Sequence, residues 1–179
     1  AMAFVVTHIA AVSATMTWVI IEWLHRGKPT MFGAATGSIA GLATITPASG
    51  FVGPMPALMI GLLAGGACYT ALNFKGKFGY DDSLDAFGVH GVGGTLGTLG
   101  VGLFASKAIN SAGANGLFFG NAAQLSVQGI SIISVAVYSF AVTSILLKLI
   151  DMTIGIRVSE EDESDGLDLS QHGESGYTS

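Results

Sequence analysis

The chain has 179 residues, of which 50% are hydrophobic and only 11% are charged, and its mean hydropathy is +0.63. Soluble domains carry about 25% charged residues, so this composition excludes an ordinary water-exposed surface and indicates a membrane protein. The net charge of −5 comes from a tail, because seven of the twelve acidic residues follow Arg157, and this distribution excludes a nucleic-acid-binding surface.

Five apolar stretches occur in chain order, and each is close to the roughly 20 residues that a helix needs to cross a bilayer. The predicted spans are about 2–24, 30–46, 52–74, 83–105 and 121–150. The last is longer than crossing requires, so we expect it to tilt, bend or project from the lipid bilayer. The predicted fold class is therefore an all-α polytopic membrane protein with five transmembrane helices over residues 1–150. Residues 151–179 form a predicted acidic tail.

The basic residues are divided unevenly between the two sides of these spans. Six of the seven lie on one side, namely Arg26, Lys28, Lys75, Lys77, Lys148 and Arg157, and Lys107 lies on the other. Because basic residues are enriched in cytoplasmic loops, we expect the N-terminal end outside and the tail in the cytoplasm.

Glycines recur every fourth residue within three of the spans. These are Gly33, Gly37 and Gly41 in the second, Gly61 and Gly65 in the third, and Gly93 and Gly97 in the fourth. Small residues at this spacing let helix backbones approach closely in a membrane. The pattern predicts a tightly packed helix bundle.

The most informative segment is residues 81–94, with the sequence DDSLDAFGVHGVGG. Acidic residues just before an apolar run are typical of helix caps, and we interpret Asp81 and Asp85 in this way. Asp82 has a second interpretation, because an acid just inside a membrane helix also stabilises a passing cation. His90 follows two helical turns further along, about 12 Å, so we expect it near mid-membrane.

His90 is a candidate functional residue, because its apolar neighbours offer an imidazole no partner and ionisable groups inside membranes face an interior or a pathway. The alternative is packing, with the ring bonded to a backbone carbonyl. Imidazole exchanges protons near physiological pH, which suits a small cation that crosses as its neutral form, such as ammonium. The sequence has neither a nucleophile triad nor metal-ligand or nucleotide motifs, so we predict no enzyme, cofactor or metal site.

The segment DDSLDAFGVHGVGG resembles the tenth-helix signature of the ammonium transporter family, which includes the methylammonium permeases and Rhesus glycoproteins. Residues 22–54, EWLHRGKPTMFGAATGSIAGLATITPASGFVGP, are similar to the end of that family's seventh helix, its eighth helix and the outer loop that follows. Residues 151–177, DMTIGIRVSEEDESDGLDLSQHGESGY, are similar to its cytoplasmic C-terminal region. The resemblance covers essentially the whole chain.

The resemblance implies helices seven to eleven of an eleven-helix, inverted-repeat subunit in the plasma membrane, with the first six helices missing. It also implies a homotrimer with one pore per subunit. His90 matches the second histidine of the family's pore pair, and Asp82 the symmetry counterpart of an acid in the missing half. The remaining implied pore residues are Asp85, which matches a carboxylate of the signature, Ala86 and Phe87 beside the histidine, and Thr46 near the outer mouth.

The mechanism implied by the resemblance is ammonium capture outside, deprotonation, passage of ammonia along the histidines, and proton transfer. The implied regulatory tail contacts neighbouring subunits and a cytoplasmic PII signalling protein. Its candidate residues are Arg157, Asp168, Ser170, His172 and Tyr177, with Ser170 at the position of a phosphorylated threonine in plant relatives. Phosphate on Ser170 would repel Asp168 and release the tail.

Two alternatives remain open from the sequence. The first is an ammonium sensor of the same fold that signals through its tail. The second is a structural five-helix membrane protein that never binds ammonium.

Overall fold

The structure is a computed structural model that describes residues 1–176, and within that range every regular element is a helix. In chain order these are α1 (Met2–Arg26), α2 (Met31–Ile45), α3 (Pro54–Phe78), a π-turn (Phe87–Gly91) that continues into α4 (Val92–Phe104), a 3-10 turn (Leu117–Phe119), α5 (Ala123–Thr153), α6 (Glu160–Asp165) and α7 (Leu167–Ser170). Two compact units are present, the first covering Ala1–Ile133 and the second beginning at Ser134.

Four helical segments are long and apolar enough to cross a membrane, namely α1, α3, the segment Phe87–Phe104 and α5. The architecture agrees with the predicted all-α polytopic fold class. The second predicted span differs, because α2 has only 15 residues and is about 22 Å long, against a hydrocarbon core of about 30 Å. Pro47 follows closely after its end and has no N–H with which to continue the helical hydrogen bonds, although Thr46 before it retains helical backbone with φ −48° and ψ −51°.

The helix ends follow local sequence signals. Gly27 follows α1 and Gly79 follows α3, with φ values of 77° and 65° that a residue with a side chain rarely adopts. α3 begins at Pro54, where the missing N–H leaves no intrahelical hydrogen bond unmade. Thr30 caps α2, because its hydroxyl accepts a hydrogen bond from the N–H of Gly33 at 2.8 Å.

Close backbone approach holds the first four helices together, as the glycine spacing predicted. α1 packs against α2 and α3, and α4 packs against the same two helices. A Cβ added to Gly41 of α2 would lie 2.8 Å from both the Ala11 Cα and the Ala14 Cβ of α1. A Cβ on Gly97 of α4 would collide with the Thr44 carbonyl oxygen of α2. The predicted glycine-mediated bundle is confirmed.

Two buried clusters lie between these helices. One contains small and branched residues, with Val6, Ile45, Val52 and Ile60 among them. The other is centred on Trp18 and includes Ala40, Cys68, Tyr69 and Val89. The second cluster lies directly beneath the π-turn, because Val89 belongs to that turn.

The second unit contains the later part of α5 and the two short tail helices. No residue of α5 is buried, although it is an apolar helix of 31 residues. Ser159 caps α6, because its hydroxyl accepts a hydrogen bond from the N–H of Asp162 at 3.1 Å. The first turn of α6 is entirely acidic, which suits the positive end of a helix dipole.

Candidate functional site

Asp82 provides the N-terminal cap of the helix that contains His90. Its carboxylate accepts hydrogen bonds from the N–H groups of Ala86 at 2.8 Å, Phe87 at 3.1 Å and Gly88 at 3.3 Å. These donors would otherwise be unpaired at the start of a helix. Asp82 thus acts as the cap, whichever further role it has.

The capping interpretation of Asp85 is wrong. Its carboxylate instead forms an ion pair with Lys75 of α3, and its backbone has a φ of 57°. Among the described residues it is the one non-glycine residue with positive φ. Asp81 does not cap the helix either, because its carboxylate accepts a hydrogen bond from the Ser83 hydroxyl at 3.0 Å.

His90 lies in the first turn of its helix and not two turns along it. The predicted span began at residue 83, but residues 82–85 form a turn, since the Asp85 N–H donates to the Asp82 carbonyl at 3.1 Å. The first turn is π-helical from Phe87 to Gly91. Wider π-turns within α-helices are rare and frequently occur at functional sites. Nothing in the residue pattern predicted this turn.

The ring of His90 is on an exposed face of the first unit. His90 itself is exposed, and within residues 1–176 no hydrogen bond to its imidazole is found. The neighbouring Phe87 is 61% exposed, and its ring lies over Gly91, where an added Cβ would be 2.7 Å from the Phe87 Cδ2. Ala86 is exposed beside it. This geometry differs from the packing alternative, in which the ring bonds to a carbonyl.

The opposite face of the π-turn is buried against α3. The Val89 side chain is 4% exposed, and the Cys68 thiol donates to the Val89 carbonyl with a sulfur–oxygen distance of 3.8 Å. One residue closer to the helix start, Gly88 lies against the Leu72 side chain. One face of the π-turn therefore packs on the bundle, and the other face, which includes His90, is exposed.

Thr46 is separated from this segment in sequence but adjoins the same helices. It is the exposed C-terminal cap of α2, and its hydroxyl donates to the Leu42 carbonyl at 2.7 Å. Two residues earlier, Thr44 packs on Gly93 and Gly97 of α4. Five of the six predicted pore residues therefore lie in one short segment, and Thr46 lies at the end of a helix packed on the same bundle.

A polar network that the sequence analysis did not identify joins α1 to α2. Glu22 is 3% exposed, and its carboxylate accepts hydrogen bonds from the Thr30 N–H and hydroxyl, both at 3.1 Å. Gly33 lies so close that a Cβ there would collide with the Glu22 carboxylate. A carboxylate within an otherwise apolar span was the available signal, because such groups need buried partners.

A small cavity of about 170 Å³ with both polar and apolar lining lies beside this network. Glu22 and Arg26 of α1, together with Asn73 and Lys75 of α3, contribute to its lining. No group of three or more histidine, cysteine or acidic residues in the described part of the chain is arranged to hold a metal ion.

The tail residues form contacts of their own within the second unit. Arg157 binds Glu163 through two hydrogen bonds of 2.7 and 2.9 Å, and the guanidinium holds the pKa of Glu163 below its ordinary value. The Asp168 carboxylate accepts hydrogen bonds from the N–H groups of Gly176 and Leu169, and these lower its pKa. The hydroxyl of Ser170 donates to the Gly166 carbonyl at 3.2 Å.

The other two predicted tail residues are less informative. The His172 N–H donates to the Leu167 carbonyl at 3.2 Å, which continues the last turn of α7. Tyr177 lies outside the residues that the structure describes.

Comparison with known sequences and structures decides the family. The sequence model of the Ammonium Transporter Family matches residues 1–177. The chain belongs to the ammonium transporter family. This agrees with the resemblance found in the motifs, and residues 82–90 lie within the matched range.

Members of this family are similar to the chain over nearly all of its length. It is 47% identical to the ammonium transporter of Bacillus subtilis over 176 residues, which is 98% of this chain and 44% of that protein. The crystal structure of Saccharomyces cerevisiae Mep2 matches with a TM-score of 0.84 at 32% identity, over 89% of this chain and 37% of Mep2. A structure described as a sensor Amt protein matches with a TM-score of 0.80 at 30% identity, over 95% of this chain and 41% of that one. The chain thus spans less than half the length of these relatives.

Proposed function

We propose that this chain is the C-terminal portion of an ammonium transporter subunit, which conducts ammonium across the membrane without chemically converting it. The observation that carries the proposal is the exposed His90 on a capped π-turn, in a chain that belongs to the ammonium transporter family. A relative of 47% identity is named an ammonium transporter. Histidine is the side chain whose ordinary pKa lies nearest physiological pH, so it suits a substrate that loses and regains a proton.

The proposed mechanism separates the proton from the neutral molecule. Ammonium binds at the outer mouth near Thr46 and crosses past His90 as ammonia, while its proton is passed to the His90 imidazole and returned to the ammonia on the inner side. Crossing as a bare cation would carry a desolvation cost of several kcal/mol, which the neutral molecule avoids. Phe87 and Ala86 form the apolar wall beside the histidine. Asp82 and Asp85 support the segment electrostatically at its start.

The pore requires a second wall, which we assign to helices that precede this chain. The chain covers 44% of a relative at 47% identity, so a complete subunit of that length has room for further helices. We propose that the chain corresponds to helices seven to eleven of eleven, and that the exposed face with His90 meets the first repeat. The proposed assembly is a homotrimer in the plasma membrane, with the N-terminal end of the chain outside and the tail inside.

The proposed role of the tail is regulatory. Asp168 lies two residues before Ser170 on α7 and has a lowered pKa, so a phosphate on Ser170 would add negative charge to a short helix that already carries an ionised carboxylate. We propose that Arg157, Asp168, Ser170, His172 and Tyr177 belong to a surface that couples subunits and meets a PII signalling protein.

Flux measurements on the complete protein test this function. The protein is reconstituted into proteoliposomes, and ammonium entry is followed by internal pH and by membrane current. We expect His90→Leu to lower the flux or change selectivity, whereas Met55→Leu, at a side chain 67% exposed on α3, should leave both unchanged. Equal flux and equal selectivity in wild type and His90→Leu would contradict the role of His90.

A sensor is the second candidate, and the similarity to a structure described as a sensor Amt protein favours it. A sensor binds ammonium without passing it on. Reconstituted protein that binds ammonium but shows no net flux would therefore select the sensor over the transporter.

A further inference from the structure

Lys75 connects the end of α3 to the turn that starts the helix of His90. Its Nζ contacts the Asp85 carboxylate and donates a hydrogen bond to the Asp82 carbonyl at 2.8 Å. The side chains are only 30% exposed for Lys75 and 19% for Asp85. A partly buried, charge-assisted contact of this kind is stronger than an ordinary surface ion pair.

The two residues that Lys75 contacts, Asp82 and Asp85, both form hydrogen bonds to the first turn of the helix that contains His90. Asp82 caps the N–H groups of Ala86, Phe87 and Gly88 with its carboxylate. The Asp85 carbonyl accepts the hydrogen bond of the Val89 N–H at 2.9 Å. His90 is the next residue, so a shift of either acid moves the first turn that contains its ring.

The backbone of Asp85 gives a reason why an external contact is needed. A φ of 57° is uncommon for a residue with a side chain, and surrounding contacts must hold it. The Lys75 amine is placed on the carboxylate of that same residue. It therefore holds the turn in a conformation that Asp85 would rarely adopt alone.

Lys75 is also the last member of a stripe along α3. Cys68 contacts the Val89 carbonyl, Leu72 contacts Gly88, and Lys75 contacts the turn before them. The spacings of four and three residues place these side chains on one face of a helix. The two apolar members set the packing, and Lys75 supplies the polar contact that fixes where the helix begins.

We propose that Lys75 is a positioning residue for His90, which acts through Asp82 and Asp85 and does not itself touch the substrate. The inference rests on the proposed transport function, because it assigns Lys75 to the site that His90 forms. Without the Lys75 contact, the turn at Asp85 relaxes and the imidazole leaves the place where it meets the passing molecule. Displacements near 1 Å lower rates on the order of a hundredfold at chemical sites.

The test uses the complete protein with Lys75→Met, Asp85→Asn and the double variant. Methionine keeps an apolar stem, and asparagine keeps both the shape and the tolerance of left-handed backbone. We expect each single variant to lose about tenfold or more in maximal flux, and the double variant to lose no more than the worse single one. Lys75→Arg should retain most of the flux. If Lys75→Met does not fold, Asp85→Asn tests the same contact.

Lys77→Met is the matched control, because Lys77 lies on the same helix two residues later and its amine lies over the exposed Phe74 ring, away from Asp82 and Asp85. We expect its flux to equal that of wild type. Equal flux in Lys75→Met and Lys77→Met, or losses that multiply in the double variant, would overturn the inference.

A second readout separates this inference from the proposed function. The rate at which diethyl pyrocarbonate modifies His90, followed by mass spectrometry, reports the position and exposure of the ring whether or not the protein transports. A changed rate in Lys75→Met with no flux in wild type supports positioning and contradicts the transport function. An unchanged rate in variants of a wild type that conducts contradicts positioning alone.

Discussion

The first four helices and α5 are all apolar, yet they differ in the share of their residues that is buried. In the candidate span of α1, 33% of the residues are buried inside the protein. In the candidate span of α5, which is the most apolar of these spans, no residue is buried. α1 to α4 meet through glycine and alanine, whereas α5 presents large side chains such as Ile130, Tyr138 and Phe140 on its surface. Apolar character therefore does not determine which helices pack together.

The difference has a physical cause. Within a bilayer, lipid solvates a large apolar side chain about as well as another helix does, so hydrophobicity gives little preference for protein contact. Small residues permit close backbone approach, and the gain in dispersion contacts is specific to the matching helix. α5 has the composition to cross the membrane, and α1 to α4 also have the residue spacing to form a bundle.

The largest effect should come from a methyl group placed at a helix contact. In Gly61→Ala the added Cβ collides with the Ser13 hydroxyl and lies 2.8 Å from the Ala10 Cα of α1. We expect the complete protein to lose about 3 kcal/mol of stability through overpacking, measured by thermal unfolding in detergent. A midpoint equal to that of wild type would show that α1 and α3 are not in close contact.

The buried carboxylate at the end of α1 should have the next largest effect. Glu22→Ala leaves the Thr30 donors without their acceptor, and we expect a loss of about 2 kcal/mol in the same assay. Glu22→Gln retains an acceptor oxygen and should lose less. Glu160→Ala, at an exposed position on α6, is the control. A loss as large in Glu160→Ala as in Glu22→Ala would contradict the contrast between buried and exposed helices.

The same glycine-to-alanine change on α5 should have a smaller effect with the opposite sign. A Cβ on Gly129 meets no atom within 4 Å, and alanine favours helix over glycine by up to about 1 kcal/mol. We expect Gly129→Ala to leave stability unchanged or to raise it slightly. Destabilisation comparable to Gly61→Ala would mean that the complete protein packs another surface against this part of α5.

The smallest effect concerns pH and the tail. Arg157 lowers the pKa of Glu163 from its ordinary value of 4.5, so the contact stabilises the folded tail fully above that value. Its contribution decreases as the pH falls through the lower pKa of the folded state. We expect the Arg157 Nε–H resonance to lose its hydrogen-bonded shift at acid pH in wild type. In Glu163→Gln the resonance should be insensitive to acid, and an acid transition that persists there would assign the effect to another group.

Much of the bundle was accessible from the sequence because its signals are local. The glycine spacing predicted the close approach seen at Gly41 and Gly97, and the family motif singled out the segment that contains His90. The shortness of the second span was already visible in its 17 predicted residues, whereas the choice of Asp82 over Asp81 and Asp85 as the cap of the His90 helix was not predicted. Pro47 and Asp82 are both visible in the sequence, but which carboxylate accepts the N–H groups depends on how the turn at Asp85 folds.

Composition and spacing by themselves determined that this protein enters a membrane and that its first helices pack through small residues, and the resemblance of its motifs to a known family indicated the ammonium transporter family. Only the tertiary structure decided that Lys75 reaches Asp85, that Glu22 joins α1 to the start of α2, and that the helix of His90 opens with a π-turn. The reason is the distance along the chain over which each signal acts. Apolar periodicity and small-residue spacing act within one helix, whereas each of these polar contacts requires two segments of the chain to meet at hydrogen-bond distance.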